Sequence, residues 1–195
     1  GVSMNINTTY TKIITGEDLM ETAQHGSTLY PFQFYYEDLS VFDFNCIEWH
    51  WHTELEFIYI ESGTVTLWIG EDQFHLTEGS GIFINTKVLH RLYSPSKALI
   101  PNFVFMPSFI APCDSLIYQK YILPIISSSL PFLVFHKKVC WQAKVLSIMR
   151  QIISAQDSVL SKELLTSSLL QNLWLEIFEN TDISYQEEHK DHSTA

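Results

Sequence analysis

His50-Trp51-His52-Thr53-Glu54-Leu55-Glu56-Phe57-Ile58-Tyr59-Ile60-Glu61-Ser62-Gly63 is the stretch that decides the reading. It sets two histidines one residue apart, places a glutamate beyond them, and runs through an apolar segment to a glycine. Side chains alternate faces along a strand, so parity predicts that His50, His52 and Glu56 share one face of a regular strand. A third imidazole is at hand in His90, which follows the turn Gly79-Ser80-Gly81 and the run Ile82-Phe83-Ile84. Three imidazoles and a carboxylate form a donor set suited to a divalent transition metal such as Zn, Ni, Fe or Mn. The same four residues are candidates to bind an organic ligand, and the plain alternative is a hydrogen-bonded polar cluster in a core. Glu54 has the same parity as Glu56 but is expected to be solvated.

Outward from this stretch, the chain from about 32 to 109 breaks into short apolar runs at 32–36, 41–44, 55–60, 64–69, 73–76, 81–85, 90–93 and 100–106. Turn residues separate them, among them Glu61-Ser62-Gly63, Gly70-Glu71-Asp72 and Ser94-Pro95-Ser96. Strands at this spacing predict an antiparallel sandwich or barrel, and the runs 64–69 and 73–76 predict a tight hairpin. Trp68, with Trp49 and Trp51, is a candidate to stack on a bound ligand; ordinary packing is the competing reading.

Near Pro112 the period changes from two to about 3.6, which predicts helices over 114–123, 139–155 and 161–179, with a short extended run at 132–135. Ser161 is the predicted N-cap of the last helix. That helix carries Leu164, Leu165, Leu169, Leu170, Leu173, Trp174, Ile177 and Phe178, more apolar surface than one packing stripe of about 100° accommodates. The surplus predicts a second partner. A twofold-related copy is the economical choice, with Leu165, Leu169, Leu173 and Trp174 as the dimerisation residues. The fold class is therefore mainly β with an α appendage. Residues 1–29 read as an arm preceded by a cloning remnant, Gly1-Val2-Ser3; 30–111 as the barrel; 112–180 as a helical dimerisation region; and 181–195 as a linker.

Composition narrows the function. The formal net charge of -11 repels a phosphate backbone, and no Lys/Arg cluster relieves it. By itself this chain is not expected to grip DNA. Three cysteines, Cys46, Cys113 and Cys140, with no C-x-x-C spacing, suit a reducing cytoplasm. No apolar run reaches membrane-spanning length, so no membrane partner is expected.

The His-x-His, Glu and Gly of the opening stretch match the first cupin motif, while Gly70, Gly79 and His90 fit a degraded second one: its usual Pro is absent around Ile84-Asn85, and Ser94 stands where Asn is common. The wording His50-Trp51-His52-Thr53-Glu54-Leu55-Glu56, Tyr59-Ile60-Glu61-Ser62-Gly63, Glu78-Gly79-Ser80-Gly81-Ile82-Phe83-Ile84-Asn85 and Val88-Leu89-His90 resembles the sensor domains of AraC-type transcription regulators, over about residues 30 to 180. The resemblance implies a cupin-like jelly-roll barrel followed by an antiparallel helical pair. It also implies a small-molecule effector in the barrel, a homodimer, and DNA contact only through helix-turn-helix units beyond this chain. The alternative is a metal-dependent cupin enzyme, a dioxygenase or isomerase.

Overall fold

Short runs rich in β-branched and aromatic residues pair into nine strands among residues 4–183, the part of the chain that the computed structural model describes. They are β1 (Phe32–Tyr35), β2 (Cys46–His50), β3 (Leu55–Tyr59), β4 (Thr64–Ile69), β5 (Asp72–Thr77), β6 (Gly81–Ile84), β7 (His90–Tyr93), β8 (Asn102–Phe105) and β9 (Phe132–Phe135). All pairings are antiparallel. One sheet has the order β1-β8-β3-β6-β9, the other β2-β7-β4-β5. The β4–β5 hairpin closes between Ile69 and Asp72, and Gly70 takes φ 56 at its first turn position, where a Cβ would be strained. The inner faces of both sheets meet in one core of Ile58, Ile82 and Ile84 from the first and Ile47, Val65, Leu67 and Leu92 from the second. This is the cupin-like barrel that the strand spacing and the motif led us to expect.

The central strands of the five-stranded sheet are buried on both faces, which is why β6, and β3 and β8 apart from Glu56 and Asn102, carry apolar residues at successive positions rather than at alternate ones. Its outer face is a band of phenylalanines. Phe57 lies between Phe83 and Phe103 in register, with ring centroids 5.0 and 5.4 Å away, and Phe32 continues the stack beyond Phe103 at 5.7 Å. Each buried phenyl contributes about 1.5–3 kcal/mol, so this face cannot be left wet. The helices cover it. A π-helical turn at Tyr118–Ile122 runs into α1 (Leu123–Ile126), and α2 (Cys140–Ala155) and α3 (Lys162–Asn180) pack beside each other, antiparallel across a short turn. Val145, Leu146, Met149 and Ile152 of α2 and Leu170, Leu173, Trp174 and Ile177 of α3 join the phenylalanine core.

Several expectations need correction. The run 41–44 is not a strand: 3-10 turns at Leu39–Val41 and Asp43–Asn45 replace it, with Phe44 and Asn45 at positive φ. A strand not expected from the sequence, β2, runs up to and includes His50 instead. The first helical segment does not stop before Pro124. The π turn resets the register, so that Pro124 falls in the first turn of α1, where its missing N–H leaves no bond unmade. Ser161 does stand at the N-cap of α3, but its side chain makes no cap bond. The barrel is not finished by residue 111, because β9 returns from the helical region to pair with β6.

The dimerisation set splits. Leu173 and Trp174 are turned inward at 0% and 3% exposure; Trp174 meets Phe83 edge to face at 5.8 Å and donates its Nε1–H to the Tyr121 carbonyl at 2.9 Å. They seat α3 on the chain's own barrel and are unavailable to a partner. Leu165 is exposed and Leu169 half-buried, both bordering a groove between α2 and α3. The surplus apolar surface lies nearby, in Val159, Leu160 and Leu164. Gly1-Val2-Ser3, read above as a cloning remnant, and all but the first three residues of the expected 181–195 linker lie outside the described residues.

Candidate functional site

His50, His52, Glu56 and His90 come together as the motif predicted, by a different route. They do not share one strand. His50 ends β2 in the four-stranded sheet, the chain crosses to the other sheet at residues 51–54, and Glu56 lies in β3. His50 and His90 face each other across the β2–β7 ladder, next to an irregularity between Ile47 and His50, with ring centroids 4.2 Å apart. The cluster thus sits at the seam between the sheets. All four side chains are buried, and one ligand atom from each lies within 4.8 Å of the others.

The imidazoles are held in one tautomer. Nδ1 of His50 lies 2.8 Å from the Glu48 carbonyl, Nδ1 of His52 2.9 Å from that of Glu54, and Nδ1 of His90 2.8 Å from that of Val88. A carbonyl only accepts, so each Nδ1 carries the proton and each Nε2 is presented to the site. That backbone support is the arrangement a metal-ligating histidine needs. Nε2 of His52 and of His90 both lie 3.2 Å from Glu56 Oε2. The His90 atom lacks the alignment of a hydrogen bond and has no other partner. Burial and the neighbouring His90 push His50 down to about 3, so it is neutral. Burial also opposes charge on His52, but the bond and charge of Glu56 outweigh it and raise His52 to about 9. Burial would raise Glu56, yet the imidazoles of His52 and His90 hold it well below the usual carboxylate range. Glu56 is therefore ionised, with a proton on His52 facing it. The geometry and the donor set fit a divalent transition metal in that proton's place.

Beside the cluster lies a cavity of about 290 Å³. Its barrel walls combine the apolar Ile47, Ile58, Leu92, Ile100 and Val104 with the polar Tyr35, Glu37 and Asn102, and include His50, His52 and Glu56 of the cluster. The N-terminal arm partly covers it, with Tyr10, Lys12, Ile13, Ile14, Glu21, Thr22, Ala23 and His25 in the lining. The arm is pinned at several points. The Tyr10 hydroxyl donates to Glu37 Oε2 at 2.5 Å, and His25 bridges Glu21 Oε2 at 2.8 Å and the Tyr35 hydroxyl at 2.6 Å. Trp51 donates its indole N–H to the Asp18 carbonyl at 2.9 Å, and Met20 bridges to Trp51 in parallel fashion. Glu37 is buried, with Asn102 donating to its other oxygen at 2.7 Å; burial pushes its carboxyl up to about 7 against the pull of those two bonds.

A barrel enclosing such a cavity, with helices on one outer face, is matched by one family over residues 33–174, the AraC-like ligand binding domain. The chain belongs to that family. Among curated proteins it is similar to an uncharacterised HTH-type transcriptional regulator, YdeC, of Bacillus subtilis, with 24% identity over 143 residues, covering 71% of this chain and 48% of that one. It spans about half the length of that relative. Among solved structures, an apo form of ToxT from Vibrio cholerae strain SCE256 shares its fold at TM-score 0.55 and 11% identity, covering 80% of this chain and 58% of ToxT. ToxT from Vibrio cholerae O395 does so at TM-score 0.52 and 12% identity, covering 78% and 56%.

In this AraC-like domain Trp68 is not a cavity residue. It stands on the outer face of β4, where the Arg91 guanidinium lies 4.6 Å from its ring and pairs in turn with Glu48 at 3.0 Å. Alternation decides this: Leu67 and Ile69 point inward, so Trp68 must point out. Trp51 serves the arm, and Glu54 stays outside the four-residue cluster. The sequence reading missed Tyr10, Glu21, His25, Tyr35, Glu37 and Asn102. The arm residues carry no periodicity, and a buried acid at a strand end looks like any turn residue. The one available signal was the pair Glu37-Asp38 directly after an apolar strand.

Proposed function

We propose that this chain is the effector-sensing and dimerising part of a cytoplasmic, DNA-binding transcription regulator, and that it is not an enzyme. A small molecule entering the barrel cavity changes how the arm docks, and the change reaches DNA-binding units outside this chain. The observation that carries the reading is the cavity roofed by the chain's own N-terminal arm, pinned through residues that also line it. A ligand there meets barrel and arm at once, so it has the differential contacts that a two-state sensor requires. Family membership and the regulator-type relative support the same reading. No helix among the described residues is long and apolar enough to cross a membrane. A second copy of the chain is the proposed partner, meeting the α2–α3 hairpin at Leu165, Leu169 and the exposed Leu164.

Within that function, His50, His52, Glu56 and His90 would hold a divalent transition metal. The convergence of three backbone-supported imidazoles on one carboxylate favours this. Bound there, the ion would supply a Lewis-acid anchor for an oxygen or nitrogen donor of the effector. The test of the sensing role is native mass spectrometry of protein purified from its host, compared with Val104→Trp, which fills the cavity. Wild-type protein should carry or take up one small molecule per chain and the variant none. Equal uptake by both would overturn the assignment of the cavity.

A further inference from the structure

Three buried carboxylates, Glu21, Glu37 and Glu56, line the one cavity. Two of them have imidazole partners: Glu21 has His25 at 2.8 Å, and Glu56 has His52 and His90 at 3.2 Å. Glu37 has none. Its oxygens receive only the neutral hydroxyl of Tyr10 and the neutral amide of Asn102. Lys12 borders the cavity but is exposed and makes no ion pair with Glu37. An ionisable group enclosed without a counter-charge is costly in the folded state unless something neutralises it. The same cavity offers an aliphatic wall, Ile58, Ile100 and Val104 from the barrel and Ile13 from the arm, with the Tyr35 ring beside Tyr10.

We propose that the effector is a small organic cation, an ammonium group on an apolar body, with its charged end against Glu37. This rests on the effector reading of the cavity and deepens it. The argument is one of complementarity. An anionic ligand would meet Glu37, whose charge no imidazole offsets. A neutral alcohol would make no ion pair with Glu37. An ammonium pairs with the carboxylate in a buried site and gives its body the aliphatic wall. A bare inorganic cation satisfies the charge but not the wall. Since Tyr10 belongs to the arm and donates to the same carboxylate, the ligand's charged end and the arm meet on one group, and occupancy is read by the arm directly.

The test uses three probes of one size and shape and different charge: 2-phenylethylammonium, 2-phenylethanol and phenylacetate. Binding is measured by titration calorimetry at pH 7 in two buffers of different ionisation enthalpy. The ammonium should bind wild-type protein at least tenfold more tightly than either other probe, with release of a fraction of a proton from Glu37. Glu37→Gln should reduce its advantage over the alcohol to less than threefold. Tyr10→Phe, which frees one carboxylate oxygen, should preserve the ammonium's advantage and serves should Glu37→Gln not fold. If the alcohol or the carboxylate binds wild-type protein as tightly as the ammonium, the cation assignment fails while the cavity remains an effector site. If none of the three binds at millimolar concentration, the cation assignment fails as well, and the sensing role then rests on the uptake comparison with Val104→Trp. An advantage unchanged in Glu37→Gln, or lost in Tyr10→Phe, would also overturn it.

Discussion

Glu37→Gln tests the electrostatics of the cavity through stability alone, with no ligand. The Glu37 carboxyl is pushed from 4.5 up to about 7, burial being the main cause, with Glu56 and Glu21 adding to it and the bonds from Tyr10 and Asn102 opposing it. A group whose pKa is raised on folding binds more protons in the native state. Its contribution is therefore fully present below pH 4.5 and is lost as pH rises through about 7. A shift of about 2.5 units at about 1.4 kcal/mol each makes the whole swing about 3 kcal/mol. The isoelectric point near 5.0 makes acid conditions unsuitable for solubility, so the useful window is pH 5.5 to 8.5, in which about 2 kcal/mol of that swing falls. Urea unfolding of wild-type and Glu37→Gln protein at both values gives four free energies. Their double difference cancels every titrating group that does not interact with Glu37, as well as the fixed cost of replacing the carboxylate. Wild-type protein should lose about 2 kcal/mol more than the variant on going from pH 5.5 to 8.5. A double difference below about 0.5 kcal/mol, or of opposite sign, would show that Glu37 is solvated or already paired, and that the cavity holds no uncompensated acid.

Other outcomes follow from the same geometry. Elemental analysis of chelator-free protein should find a divalent transition metal in wild-type protein and at least tenfold weaker retention in His52→Ala and His90→Ala; stoichiometric metal in both variants would move the site elsewhere. Sedimentation at micromolar concentration should give about twice the chain's 22.6 kDa, and Leu165→Glu should shift it to monomer with unchanged circular dichroism. A monomeric wild type would refute the dimer, and a dimer indifferent to Leu165→Glu would relocate its interface. Trp174→Ala should cost about 3–5 kcal/mol in urea unfolding, because its ring closes the phenylalanine band; a loss under about 1 kcal/mol would mean that α3 is not seated as described.

How much of this was legible in the sequence depended on whether a residue's role is local. The β4–β5 hairpin was, since alternation and Gly70 both act within a few residues. The helices α2 and α3 were, to within a residue or two, since a 3.6 period over four turns admits little else. The metal-type cluster was legible as a set but not as a shape. Parity on one strand would have aligned His50, His52 and Glu56, whereas the chain breaks at 51–54 and assembles them from two sheets. That break is tertiary: no propensity in Trp51-His52-Thr53-Glu54 signals it. The burial of Leu173 and Trp174 was misjudged because a wide apolar stripe cannot say which of its edges meets the barrel. The outer phenylalanine band, itself unseen as a second buried face of one sheet, makes that choice by offering Phe83 to the Trp174 ring.

The two-faced sheet also bears on how the proposed sensing would work. In β3, Glu56 and Ile58 face the site and cavity, and Phe57 between them faces the helices. In β6, Ile82 and Ile84 line the barrel core while Phe83 meets Trp174. Strand alternation therefore places cavity side chains and helix-seating side chains on consecutive residues of the same backbone. A packed strand does not bend one face independently of the other, because its ladder bonds to both neighbours fix it as a unit. Any shift of β3 that accommodates a ligand at Ile58 is felt at Phe57, and from there at the α2–α3 hairpin. The arm supplies the second route, through Tyr10 on Glu37. The first route is stiff and the second rests on a few hydrogen bonds, so in the proposed mechanism the arm is the element that a ligand displaces at least cost.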